Sequence, residues 1–145
     1  MPIDFYRLKL QRNNIMNLDT QLRVLYVDDS STIREMVESS LIEIGYINIQ
    51  GAEDGIEALD LSKEEEYDLI ITDINMPNMD GITLIQKLRD TLDYMSTPIM
   101  VLSTEWSREM KEQGKQAGAT SWIVKPFDTK LLRRAITETL EKAND

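Results

Sequence analysis

Neither cysteine nor histidine occurs anywhere in the 145 residues. Without thiols there is no disulfide framework, no thiolate metal site and no cysteine nucleophile. Without imidazoles, histidine zinc sites, histidine general bases and phosphohistidine chemistry on this chain are excluded too. Any metal must then be a hard cation held by oxygen. Positive charge is also scarce: 16 Lys and Arg stand against 26 Asp and Glu, a net charge of −10. That balance argues against a nucleic-acid backbone or an anionic membrane surface as partner. No apolar run approaches the ~18 residues of a membrane span, and the N-terminal MPIDFYRLKLQRNNIMNLD has no continuous apolar core of signal-peptide type. The expectation is a soluble, cytoplasmic, monomeric protein.

What is present is an alternation. Short apolar runs, LRVLYV (22–27), INIQGA (47–52), YDLIIT (67–72), PIMVLS (98–103) and TSWIVK (120–125), are separated by stretches of helical period. Ile33, Met36, Val37, Leu41 and Ile44 share one helical face, and Gly45 stops that helix. Ala58 and Leu59 mark a second helix; Leu84, Ile85, Leu88 and Leu92 mark a third. The segment from Trp106 to Ala117 is the weakest, with Gly114 inside it at a cost of about 1 kcal/mol against Ala. Leu131, Leu132, Ala135, Ile136 and Leu140 mark the last, with Asp128 as N-cap. Five βα units in series predict an α/β fold: a doubly wound (βα)5 three-layer sandwich around a parallel sheet. Residues 1–20 fall outside this pattern, as an extension that is flexible or partly helical (YRLKLQ), and residues 21–145 form the domain. Met16 is an alternative natural start.

In such a sheet the ligand sits beyond the carboxyl ends of the strands. Strand one ends in Asp28 and Asp29, strand three in Asp73, strand four in Ser103 and Thr104, strand five in Lys125. Singly, each has an ordinary reading: a helix cap with a solvated neighbour, a turn lysine, a capping serine. Their joint occurrence at successive strand ends is what points to a site. Three ionised carboxylates and one ammonium leave a charge of −2, which one divalent cation neutralises. Magnesium suits the donor set, with Asp29, Asp73 and the Asn75 carbonyl as direct ligands and Asp28 acting through a water. A cation and a lysine side by side also form a clamp for a phosphoryl group.

These residues resemble the CheY-like receiver domain of two-component response regulators. The resemblance runs from about Leu22 to the C-terminus and rests on VDDSSTIR (27–34), DINMPNMDG (73–81), Ser103 and KPF (125–127). The ligand-placement rule was framed on folds that include this one, so it is not independent support. The resemblance implies a flavodoxin-like strand order 2-1-3-4-5 and a phosphoacceptor at Asp73. It implies magnesium on Asp28, Asp29, Asp73 and Asn75, with Lys125 binding the phosphoryl group and Ser103 as the switch hydroxyl. Thr104 stands where a small residue is common and narrows access to Asp73. Trp122 replaces the usual Tyr, Phe or His as the strand-five aromatic; it is either a rotating switch or core packing. The Lys125–Pro126 bond is expected to be cis.

The implied partners are a histidine kinase as phosphodonor, an output protein and a phosphatase. The chain is not expected to act as an enzyme on an external substrate. SSTIR, Asn75, Glu105 and the absence of a following output domain look most like a stand-alone chemotaxis regulator acting on the flagellar motor switch. Its output surface would hold Trp106, Met110, Lys111 and Trp122. The alternatives are a receiver in another phosphorelay, as intermediate or phosphate sink, and an aspartyl-phosphate phosphatase of the haloacid-dehalogenase type. The latter wants an Asp where Asn75 stands. A flavodoxin-type carrier would need a hydroxyl-rich phosphate loop, which the acidic pair ahead of SST opposes.

Overall fold

The computed structural model describes residues 20–144. The elements run β1 (Arg23–Val27), α1 (Ser31–Ile44), β2 (Asn48–Ala52), α2 (Gly55–Glu64), β3 (Leu69–Thr72), α3 (Gly81–Arg89), β4 (Ile99–Ser103), α4 (Arg108–Ala117), β5 (Ser121–Val124) and α5 (Thr129–Ala143). All strand pairs are parallel, in the order β2-β1-β3-β4-β5. The expected doubly wound sandwich is therefore the observed one. The extension expected over 1–20 lies, but for Thr20, outside the described residues. Among the described residues, no helix is long and apolar enough to cross a membrane.

Strands β1, β3 and β4 read as near-continuous apolar runs because both faces of the sheet are covered there, while the edge strands β2 and β5 are only partly buried. Val24, Tyr26, Ile71, Met100 and Leu102 point to one side, where Leu41 of α1 and Leu132 and Ile136 of α5 pack. Their alternates Leu25, Val27, Ile70, Ile99 and Val101 point to the other, against Ala58, Leu84, Leu88 and Ala117 of α2, α3 and α4. The period-two side-chain geometry of a strand divides the core in this way.

Each of the five α-helices among the described residues begins on a side-chain cap. Ser30, Asp54, Asp80, Ser107 and Asp128 accept the N–H groups of Ile33, Glu57, Thr83, Met110 and Leu131 respectively. Each cap satisfies a donor that the helix itself cannot. Gly45 ends α1 with φ 123°, in the positive-φ region where Cβ-bearing residues are strained.

Three helical expectations are corrected. Helix α3 stops at Arg89, and Leu92 lies in a following 3-10 turn (Leu92–Tyr94), 86% exposed. The buried residue there is Tyr94, whose hydroxyl accepts from Tyr67 N–H and lies 2.8 and 3.0 Å from the carbonyls of Ser62 and Glu65. Trp106 is not part of α4, which starts after Ser107. Met36, placed on the apolar face of α1, is largely exposed.

Arg89 ends α3 with a half-buried guanidinium. It donates to the carbonyls of Gly118, Tyr94 and Thr97 at 2.6–3.0 Å, and more weakly to Thr120 Oγ1. One planar fork thus closes the α3–β4 connection onto the α4–β5 turn.

Candidate functional site

Register brings the charged groups together. Val27 pairs with Thr72, and Asp73 N–H donates to Val27 O at 2.9 Å, so Asp28 and Asp73 leave adjacent strands side by side. Carboxylate oxygens of Asp28, Asp29 and Asp73 all lie within 4.8 Å of one another. Asp28 and Asp73 are buried and Asp29 is exposed, so the cluster opens to solvent on one side. Lys125 enters from the end of β5, with Nζ 2.7 Å from Asp28 Oδ2 and 3.0 Å from Asp73 Oδ2. The Lys125–Pro126 peptide is cis.

The two buried carboxylates are also held by backbone. Asp28 Oδ1 accepts from Ser30 N–H at 2.9 Å, while its carbonyl accepts from Arg34 at 2.7 Å. Asp73 Oδ1 accepts from Ile74 N–H at 2.6 Å. Burial pushes the Asp28 carboxyl above its ordinary range, with the Asp73 charge adding to this and Lys125 opposing it. For Lys125, burial is the largest influence and acts downward. Its bonds to Asp28 and Asp73 outweigh it, and the ammonium ends above its ordinary value. This is a site rich in negative charge, with one cation already shared between two of its carboxylates. A cluster of hard oxygen donors with surplus negative charge fits a magnesium ion.

Ser103 is fully buried at the end of β4, its Oγ accepting from Glu105 N–H at 3.2 Å. Glu105 joins two further residues: its side chain accepts from Asn75 Nδ2 at 3.3 Å, and its carbonyl accepts from Trp122 Nε1 at 2.9 Å. Thr104 is exposed. On the far side of this loop Trp106 is 72% exposed, Lys111 is exposed and Met110 is half-buried. Trp122 is half-buried and packs against the α2–α4 side of the core.

Gly114 now has a reason other than weakness. A Cβ there would stand 2.6 Å from Trp122 Cζ3 and 3.0 Å from Cε3, so the helix passes over the indole only because that position is glycine. Gly114→Ala gains about 1 kcal/mol of helix propensity but meets an overpacking cost of about 1–3 kcal/mol. We expect net destabilisation in urea unfolding and a shift of the indole emission, read in a Trp106→Phe background so that Trp122 alone reports. Unchanged emission and stability would show that the ring has room.

Sequence reasoning named Arg34 and Glu105 only as part of the resemblance and missed their contacts, and it missed Arg89 altogether; Arg34 and Arg89 act through backbone carbonyls. It also missed Asp54, although Asp54 and Glu57 stand at the spacing of a helix-start signature.

The family model described as the response regulator receiver domain matches residues 24–137. The chemotaxis protein CheY-3 of Vibrio cholerae is 35% identical over 125 residues, covering 86% of this chain and 96% of that protein. A chemotaxis protein CheY homolog of Campylobacter jejuni is 37% identical over 120 residues, covering 82% and 92%. Among solved structures, Vibrio cholerae CheY4 superposes with TM-score 0.79 at 42% identity, covering 82% of this chain and 98% of that one. CheY in the CheX-CheY-BeF3-Mg+2 complex of Borrelia burgdorferi gives TM-score 0.74 at 29% identity, covering 81% and 88%.

Proposed function

The chain belongs to the response regulator receiver domain family, and on that premise we propose that it is a signalling switch thrown by phosphorylation of Asp73. The observation that carries the reading is the Lys125 ammonium shared between Asp28 and Asp73, two of three aspartates with carboxylate oxygens within 4.8 Å of one another. Asp28, Asp29, Asp73 and the Asn75 carbonyl would hold magnesium. When bound, the ion supplies positive charge to the phosphoryl oxygens as charge moves onto them.

The remaining work falls to the chain's own side chains. A carboxylate oxygen of Asp73 attacks the phosphorus of a kinase phosphohistidine. The P–N bond breaks, the imidazole leaves with its electron pair and takes up a proton, and an acyl phosphate remains. Water later cleaves that P–O bond, restoring the carboxylate and releasing phosphate. Lys125 turns from the carboxylates to a phosphoryl oxygen, keeping its charge paired throughout. Ser103 donates its hydroxyl to another.

Ser103 Oγ already accepts from Glu105 N–H, so its movement draws on Glu105, the residue that holds Trp122. The local contact is thus read at the face carrying Trp106, Met110, Lys111 and Trp122, as a shift between two populated states. Relatives named as chemotaxis proteins support a histidine kinase as donor and a flagellar motor switch protein as target.

The test is direct. With magnesium and a small phosphodonor, wild type gains the mass of one phosphoryl group and a magnesium-dependent change in tryptophan emission; Asp73→Asn gains neither. Wild type that takes no phosphoryl group would sink the proposal. Binding to motor switch components that is equal with and without phosphodonor would count against the chemotaxis role.

A further inference from the structure

Asp54 lies outside the acidic cluster, at the start of α2, and is buried although it carries a charge. Its two oxygens do different things. Oδ1 accepts from Glu57 N–H at 2.8 Å and caps the helix. Oδ2 accepts from Asn78 Nδ2 at 2.7 Å, reaching across to the loop that follows Asp73. Both bonds hold its carboxyl below the ordinary range.

The residue it grips is unusual. Asn78 has φ 69° and is the only non-glycine residue with positive φ among the described residues. Met79 N–H donates to Pro77 O at 2.7 Å across it. That is a three-residue turn of the strained hand, which persists only when its surroundings hold it. A second contact seats the same turn: Gly55 N–H donates to Met79 O at 3.2 Å. A Cβ on Gly55 would lie 2.6 Å from that oxygen. At its other end the loop closes by Gly81 N–H to Ile74 O at 2.9 Å. The loop closed in this way, 74–81, follows directly on Asp73 and carries Asn75 as its second residue.

Building on the function proposed above, we infer that Asp54 is a positioning residue: by clamping Asn78 in its strained turn it fixes the loop that presents Asp73 and the Asn75 carbonyl to the metal and the phosphoryl group. The helix cap alone would need only one carboxylate oxygen. The second oxygen and the strained asparagine have no use in the cap.

The two roles separate experimentally. Asp54→Ser retains an oxygen to cap α2, but its short side chain has no second oxygen to reach Asn78. Asn78→Gly removes the clamp from the other side, and glycine adopts positive φ without strain, so that variant folds. In each we expect the magnesium dissociation constant, read by tryptophan emission, to rise about tenfold, the range found for partners that orient metal ligands. The Met79 and Gly55 amides should exchange faster, while the urea midpoint moves little in Asn78→Gly. The double variant should be no worse than the weaker single, since both cut one bond.

Wild-type magnesium affinity and wild-type Met79 exchange in Asn78→Gly would overturn the inference, as would strictly additive losses in the double variant. Wild type that takes up no phosphoryl group would overturn the proposed function instead, and the two failures are distinct.

Discussion

Gly81→Ala is expected to lose about 3 kcal/mol of stability, the upper end of overpacking costs, and most of its capacity for phosphorylation. A Cβ at this position would lie 2.1 Å from Asp73 O, 2.9 Å from Ile74 Cα and 3.0 Å from Asp73 C. All three are backbone atoms, so no rotamer change relieves the clash. The glycine is required by space rather than by its own dihedral. Either α3 lifts away from the loop, uncovering Leu84 and Ile85 beneath it, or the Asp73 backbone moves. The second course displaces the acceptor, and a misplacement on the order of 1 Å costs about a hundredfold in rate. Urea unfolding and mass measurement of the acyl phosphate read the two consequences. A variant as stable and as readily phosphorylated as wild type would refute this account of the turn.

Lys125→Met should make stability depend far more strongly on magnesium. Its ammonium is the cation shared by Asp28 and Asp73. Removing it leaves buried carboxylates facing one another, and breaking a buried pair in this way costs about 3–5 kcal/mol. In chelator the variant should therefore unfold at much lower urea than wild type. Magnesium should bind it more tightly, because no resident cation competes, and ligand linkage should restore a large part of the loss. Phosphorylation falls about a hundredfold or more even when metal is saturating, the usual effect of losing one charge-stabilising donor.

Alkaline pH gives an independent signature. The Lys125 pKa is raised in the folded state, so its contribution is complete below the ordinary lysine pKa of about 10.4. That contribution is lost as pH rises through the raised folded value, a step that Lys125→Met should lack. Equal magnesium dependence in the two proteins would contradict the shared-cation geometry.

The central strands β1, β3 and β4 were legible because each is buried on both faces and so reads as a near-unbroken apolar run. Their polar ends were legible because a parallel sheet delivers every carboxyl end to one edge. Asp28, Asp29, Asp73, Ser103 and Lys125 follow from those two facts. Less legible was anything whose meaning lies in a neighbour distant along the chain. Gly114 reads as a helix fault until the indole of Trp122 is placed against it. Leu92 continues the helical period of α3, but the chain turns three residues earlier, and burial passes to Tyr94. Arg89 and Asp54 look like surface charges in the sequence. Their partners are mostly backbone atoms or a single amide across a loop, and no residue pattern records those. Trp106 carries the apolar character of a helix face yet stands in the loop before the cap, exposed.

The guanidinium of Arg89 has a mechanical consequence. It grips the carbonyl of Gly118, the residue that ends α4 with φ 115°, at 2.7 and 3.0 Å. The opposite end of the helix is joined to the exposed loop at Trp106 and Ser107. Were helix α4 to tilt, Gly118 would be its fulcrum. Over ten residues, or about 15 Å of helix, a tilt of about 10° at the fulcrum carries the far end about 2.6 Å. Displacement would be largest at Arg108, smaller at Met110 and least at Ala117.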